Sequence, residues 1–185
     1  MRHDAYIGLG SNLGDREGHL RAGVVGLAGL GTVRCASAVF ESEPVGGVPQ
    51  PWYLNMVVRL ATEHHPHTLL NHLLAIELGQ GRVRTQKNGP RTLDLDLLLW
   101  DEAKIHTVDL IVPHPRLHQR RFVLEPLAEI HPNLAQLPGL DWGKAWQGVQ
   151  RQTVRRLGRL AGVGDSARPG GIQPVCQGKV REPRG

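Results

Sequence analysis

The chain predicts an α+β domain in which an antiparallel sheet carries helices on one face, in the order β-α-β-β-α-β, with further helices added at the C-terminal end. Three observations carry this. Apolar residues alternate with a period of two in some segments and recur at three- and four-residue spacing in others. Gly and Pro punctuate the joints between those segments. At 185 residues and 40% apolar side chains, the chain suffices for one sizeable core and not for two full domains.

Taken in order, Ala5, Ile7 and Leu9 alternate with Tyr6, Gly8 and Gly10, which reads as a strand ending in a turn at residues 11–14. Asp15 stands where an N-cap belongs, and Leu20, Val24, Leu27 and Leu30 recur at helical spacing until Gly31 stops them. Residues 33–40 read as a second strand. Pro44, Gly46, Gly47, Pro49 and Pro51 then mark a loop too long for a hairpin turn, and a strand resumes over 53–61. Pro66 suits a first helical turn, and Leu69, Leu70, Leu73, Ile76 and Glu77 carry a helix that Gly79 and Gly81 stop. Past the polar stretch 82–91, residues 93–100 form a strand, 122–130 a helix halted before Pro132, and 142–160 a last helix. This order is the ferredoxin-like arrangement. Residues 1–161 are expected to form the domain, and 162–185, rich in Gly, Pro and Arg with little to bury, a flexible basic tail.

Charge narrows the function. The net charge of +5 points to polyanions only until it is located. Nine of the 22 Lys and Arg but two of the 17 Asp and Glu lie from Lys144 onward, so the preceding body holds 13 cations against 15 anions. A body of that balance makes a poor nucleic-acid track, and the tail reads as a solvated extension. No apolar run approaches the roughly 18 residues of a membrane span, and residues 1–14 lack the centre of a secretory signal, so a cytoplasmic protein without a membrane partner is expected. Cys35 and Cys176 are too few for a disulfide framework or a Cys-built zinc site.

The most informative segment runs through Gly89-Pro90-Arg91-Thr92-Leu93-Asp94-Leu95-Asp96. On a strand, Asp94 and Asp96 share one face while Leu93, Leu95 and Leu97 share the other. Paired carboxylates repel unless a cation lies between them; hard oxygen ligands suit Mg²⁺, and two such ions about 3.5–4 Å apart can clamp a phosphate during in-line displacement. The pair alone also fits a solvated edge strand, but Arg82, Arg84, Lys87 and Arg91 precede it and His114, Arg116, Arg120 and Arg121 follow. A mixture of carboxylates and guanidinium forks is what a metal-bound triphosphate requires. Salt bridging among these same groups is the plainer alternative.

A second cluster surrounds the loop from Ser42 to Asn55. Tyr53 and Asn55 share a strand face, pairing an aromatic plane with an amide that both donates and accepts, which suits a flat heterocycle; Phe122 is the best candidate for a second stacking face. Two other features are set aside. His64, His65 and His67 flank Pro66 at a helix start with no Cys or acidic cluster beside them, a weak case for zinc. In Gly8-Leu9-Gly10-Ser11-Asn12-Leu13-Gly14 the third glycine is one residue late for a dinucleotide fingerprint, and no Gly-Lys-Ser/Thr phosphate loop is present.

These residues resemble the 6-hydroxymethyl-7,8-dihydropterin pyrophosphokinase family. The resemblance covers about residues 5–134 and rests on Gly10-Ser11-Asn12-Leu13-Gly14, Tyr53-Leu54-Asn55, Ile76-Glu77-Leu78 with Gly81-Arg82-Val83-Arg84, the Gly-Pro-Arg-Thr-Leu-Asp-Leu-Asp run above, and Val112-Pro113-His114-Pro115 with Arg120 and Phe122. It implies a ferredoxin-like enzyme of folate biosynthesis that binds ATP with two Mg²⁺ and moves the β,γ-pyrophosphoryl group to the pterin's hydroxymethyl oxygen, releasing AMP. By the same resemblance Asp94 and Asp96 are the metal ligands and, with Arg82 and Arg91, the catalytic set. Glu77, Arg82, Arg84, Lys87, Arg91, Leu97, His114 and Arg120 would hold ATP. Ser42, Val45, Tyr53, Asn55 and Phe122 would form the pterin pocket. A monomer acting on these small molecules is expected, with neither nucleic acid nor membrane as partner. Many members carry Arg-Trp in a mobile loop where this chain has Lys87-Asn88, and Asn88 cannot stack as an indole does.

Two rival readings are less well supported. A ferredoxin-like RNA-binding module needs exposed aromatics on a strand of the Lys/Arg-Gly-Phe/Tyr type, which is missing here. A Mg²⁺-dependent nuclease would use the paired aspartates but leave Tyr53 and Asn55 unexplained.

Overall fold

The computed structural model describes residues 1–45, 49–81, 89–131, 133–136 and 141–163. Its elements are β1 (His3–Ser11), α1 (Arg16–Ala28), β2 (Thr32–Ala36), β3 (Val39–Ser42), β4 (Tyr53–Thr62), α2 (Pro66–Gly79), β5 (Asp94–Trp100), β6 (Ile105–His106), β7 (Ile111–Val112), α3 (Arg121–Ile130), α4 (Trp142–Val149) and β8 (Val154–Gly158). Asp15 caps α1 as expected, its carboxylate accepting the Gly18 amide. Pro66 occupies the first turn of α2, where its missing N–H costs nothing.

The six-stranded sheet runs β5-β1-β4-β3-β8, with β2 also on β4, and every pairing in it is antiparallel. β2 and β3 share one edge of β4: Ala36 lies opposite Val58, and Phe40 opposite Asn55. Counted as one interrupted strand, they complete the fourth-first-third-second order of the ferredoxin-like core. Residues 33–40 are therefore not one continuous strand. Ser37 breaks it, its hydroxyl accepting the Val57 amide and donating to the Ala38 carbonyl, while the Glu129 carboxylate accepts the Ala38 amide. The backbone groups freed by the break are thus bonded rather than stranded.

Both faces of the sheet are covered. Ile7, Leu9, Leu54, Met56, Leu95 and Leu97 pack with Leu20, Val24 and Leu27 of α1 and Leu69 and Leu73 of α2. Tyr6, Val57, Leu98 and Leu99 pack on the other face with Val123, Leu124 and Leu127 of α3 and Trp142, Ala145 and Val149 of α4. The two crossover helices share a face as expected, but the added helices cover the opposite one. Each fully buried leucine here is worth about 1.5–3 kcal/mol. Gly31, after α1, lets the chain close onto β4, since a Cβ there would stand 2.3 Å from the Ala61 carbonyl oxygen.

A second correction concerns residues 142–160. The helix ends at Val149 and the chain returns as β8, which pairs with β3. Beyond β8, Leu160 and Val163 turn into the α1–α2 core, and Arg21 of α1 donates to the Ala161 carbonyl at 3.2 Å.

Candidate active site

The first part of the site comes from β5. Its register against β1 shifts between Tyr6 and Ile7, Ile7 facing Leu97 and Tyr6 facing Leu99. Up to that bulge the alternation is regular: Leu95 and Leu97 enter the α1–α2 core while Asp94 and Asp96 stand on the other face, half-buried. Arg91 Nη1 pairs with Asp94 Oδ2. Arg120 Nη1 reaches Asp96 Oδ2 at 3.2 Å, and His114 Nε2 lies 4.0 Å from the same oxygen. Each carboxylate thus has its own guanidinium.

Those pairs shape the titration. Burial works against the charge on Arg91, but Asp94, which attracts it and accepts its hydrogen bond, together with Tyr53 and Asp96 raises its pKa above the ordinary value. For Arg120 burial outweighs Asp96 and the pKa falls. Burial, opposed by Asp96 and reinforced by Arg120 and Arg116, also holds His114 below the usual imidazole range. At neutral pH His114 is therefore an uncharged hydrogen-bonding group, its Nδ1 accepting the Arg116 amide.

The second part comes from β3, β4 and the start of α3. Tyr53, Asn55 and Val57 alternate on the face that carries Asp94, and Phe122 opens α3 across from them. Together with Gly8, Gly10, Glu43, Val45 and Gln50 they line a cavity of about 300 Å³ that also receives Arg91, Asp94, Asp96 and Arg120. The Asn55 amide is 5% exposed and donates to Ser42 Oγ at 2.9 Å. Its Oδ1 lies above Gly10, where a Cβ would stand 3.4 Å away, so any larger residue would crowd the cavity floor. Tyr53 donates its hydroxyl to Gln50, and the Arg120 guanidinium carbon is 5.7 Å from the centre of the Phe122 ring. An aromatic-and-amide compartment and a carboxylate-and-guanidinium compartment therefore share one cavity.

A family model described as 7,8-dihydro-6-hydroxymethylpterin-pyrophosphokinase (HPPK) matches residues 6–132. The chain belongs to that family. Two bacterial relatives named 2-amino-4-hydroxy-6-hydroxymethyldihydropteridine pyrophosphokinase agree with the assignment. The chain is 48% identical to that of Bacillus subtilis over 132 residues, 70% of this chain and 79% of the relative, and 40% identical to that of Pseudomonas aeruginosa over 158 residues, 82% and 98%. Among solved structures, wild-type Plasmodium falciparum HPPK-DHPS with STZ-DHP superposes with a TM-score of 0.63 at 13% identity, over 81% of this chain and 44% of that one. An HPPK-DHPS in complex with substrates gives 0.55 at 15% identity, over 71% and 40%. The chain thus spans less than half of those HPPK-DHPS chains, which show the fold.

Against the HPPK assignment the expected residues sort clearly. Val45, Tyr53, Asn55, Arg91, Asp94, Asp96, Arg120 and Phe122 line the one cavity; Ser42 stands behind Asn55, and His114 beside Asp96. Glu77 and Leu97 lie on the far side of the sheet: Leu97 is in the α1–α2 core, and Glu77, 2% exposed, accepts the Leu95 amide at 2.6 Å. Arg82, Arg84 and Lys87 lie outside the described residues. One residue had no assigned role beyond its motif. Buried Asn12 donates to Gln50 Oε1 at 3.0 Å and to the Pro51 carbonyl at 3.1 Å, while its Oδ1 accepts the Arg91 amide at 2.7 Å. It ties the two walls of the cavity together.

Proposed function

We propose that this chain transfers the β,γ-pyrophosphoryl group of ATP to the hydroxymethyl oxygen of 6-hydroxymethyl-7,8-dihydropterin. The oxygen attacks the β-phosphorus, the bridge to the α-phosphate breaks, AMP leaves, and the hydroxyl proton is lost to solvent. The observation that carries the reading is the single cavity that joins Asp94 and Asp96, with their arginines, to Tyr53, Asn55 and Phe122 in a chain of the HPPK family. No covalent nucleophile is required, because positioning and charge stabilisation suffice for a loose phosphoryl transition state.

In this reading Asn55 pairs with the mixed donor and acceptor edge of the pterin while Tyr53 and Phe122 flank its rings. Arg91 and Arg120 turn from their carboxylates toward phosphate oxygens, aided by Arg82, Arg84, Lys87 and neutral His114. Glu77 contributes by fixing the Leu95 backbone and hence the pitch of β5, with Leu97 next along the strand. Two carboxylates fit Mg²⁺, which takes one or two carboxylates plus substrate phosphates, and Asp94 and Asp96 would hold two ions. When bound, the metal neutralises phosphate charge and polarises the P–O bonds. The chain is read as a cytoplasmic monomer with no nucleic-acid partner; among the described residues no helix is long and apolar enough to cross a membrane. The test is AMP release from ATP with and without the hydroxymethyl pterin: strict dependence on both pterin and Mg²⁺ is expected, and pterin-independent ATP hydrolysis alone would exclude the reading.

A further inference from the structure

We propose that Trp52, held from behind the sheet by Arg155 and Arg16, is a positioning residue for the aromatic wall of the cavity, and that its contact with Arg155 sets pterin affinity rather than turnover. The proposal rests on the pterin reading of the cavity given above.

Trp52 immediately precedes β4, whose side chains alternate: Leu54 and Met56 belong to the α1–α2 core, whereas Tyr53 and Asn55 face the cavity. Trp52 therefore stands on the back of the sheet while its neighbour Tyr53 stands on the front. On that back side the Arg155 guanidinium carbon lies 5.0 Å from the centre of the Trp52 ring. Arg16 Nη1 donates both to the Trp52 carbonyl at 2.8 Å and to Glu41 Oε1 at 3.2 Å. Glu41 of β3 is paired on one side with Leu54 of β4 and on the other with Arg155 of β8. Arg155 of β8 thus meets the Trp52 ring and Arg16 of α1 its carbonyl, and none of Arg16, Trp52 and Arg155 lines the cavity.

Tyr53 is the first residue of its strand and pairs with Ser42, and the peptide before it lies outside the sheet. The orientation of the Tyr53 ring plane accordingly depends on how Trp52 is held. The grip is made by groups of this chain that lie outside the cavity, so it orders this segment independently of the heterocycle, and loosening it transfers that ordering cost to the binding step. ATP phosphates meet the β5 side of the cavity and would not register the change. A half-exposed cation–π contact corresponds to about a two- to fivefold change in affinity.

The test compares the full-length wild type with Arg155→Ala, Arg155→Lys and Trp52→Ala, measuring pterin dissociation constants by calorimetry alongside KM, kcat and melting temperature. Arg155→Ala should raise the pterin Kd and KM about two- to fivefold and leave kcat and the KM for ATP unchanged. Arg155→Lys, which retains a cation over the ring, should restore most of the loss. Trp52→Ala should cost at least as much and make a further Arg155→Ala silent. Arg155 is exposed, so its variants remain informative if Trp52→Ala fails to fold. Equal shifts for pterin and ATP, or a lowered melting temperature with unchanged pterin affinity, would overturn the proposal. A wild type that binds no hydroxymethyl pterin removes the pterin reading and this proposal with it, whereas wild-type binding unaffected by Arg155→Ala removes this proposal alone.

Discussion

Asp94 and Asp96 are the positions at which one unit of charge matters most, since each holds its own guanidinium and both face the same cavity. Asp94→Asn or Asp96→Asn keeps the volume and removes that charge. AMP formation should fall on the order of 10³-fold while circular dichroism and melting stay close to wild type. Wild-type turnover at limiting Mg²⁺ in either variant would exclude the substituted residue as a metal ligand and with it the paired site. Asn55→Leu acts on the other compartment. It removes a buried amide from Ser42 and would leave the pterin edge unpaired, a loss of roughly 1–3 kcal/mol in pterin binding that calorimetry should find absent for an ATP analogue. Both compartments are legible in the chain because strand alternation alone sends Asp94 with Asp96, and Tyr53 with Asn55, to a common face. Asn12 is not legible in that way: its partners lie 38, 39 and 79 residues away, and only the tertiary fold brings them together.

Among whole elements, those that differ from expectation are the ones whose state is decided by a neighbour. Val149, Leu157 and Leu160 extend the apolar spacing of α4, so residues 142–160 read as one helix. β8 instead exists because β3 offers it an edge, and its own side chains stay largely exposed, leaving little period-two signal. The break between β2 and β3 is equally nonlocal, since Glu129 of α3 supplies one of its acceptors. That end of α3 also carries a pH dependence. His131 stacks on Tyr6 at 4.8 Å between ring centres, and burial, with Arg59 adding to it, lowers its pKa below the ordinary 6.5. Well above pH 6.5 the imidazole is neutral folded or unfolded, so it contributes no slope. As the pH falls below 6.5 the unfolded chain takes the proton first, and stability declines until the folded pKa is passed. Melting curves between pH 7 and 5 should therefore fall less steeply for His131→Gln than for wild type, and identical slopes would exclude the effect.

For the molecule as a whole, the basic charge and the chemistry lie in different places. Of the described residues lining the cavity, the last is Val123, whereas the excess of cations begins at Lys144. The chain from Arg159 to Val163 adds mechanical support rather than ligands, since Leu160 and Val163 are 3% and 6% exposed in the α1–α2 core and Ala161 accepts from Arg21. Two truncations separate these contributions. Ending the chain after Asp165 removes Arg168, Lys179, Arg181 and Arg184 against Glu182, taking the net charge from +5 to +2. Adsorption to polyanions should weaken with that charge, while Mg²⁺-dependent AMP release and melting temperature should hold. Ending it after Gly158 also strips two apolar side chains from the core, a loss of about 3–6 kcal/mol that should lower the melting temperature on the order of 10 °C. Below its own melting point the shorter protein should still turn over at a near-native rate, because the cavity walls are untouched. A version ending at Asp165 that melts like wild type yet loses most of its activity would instead place part of the site in the final residues.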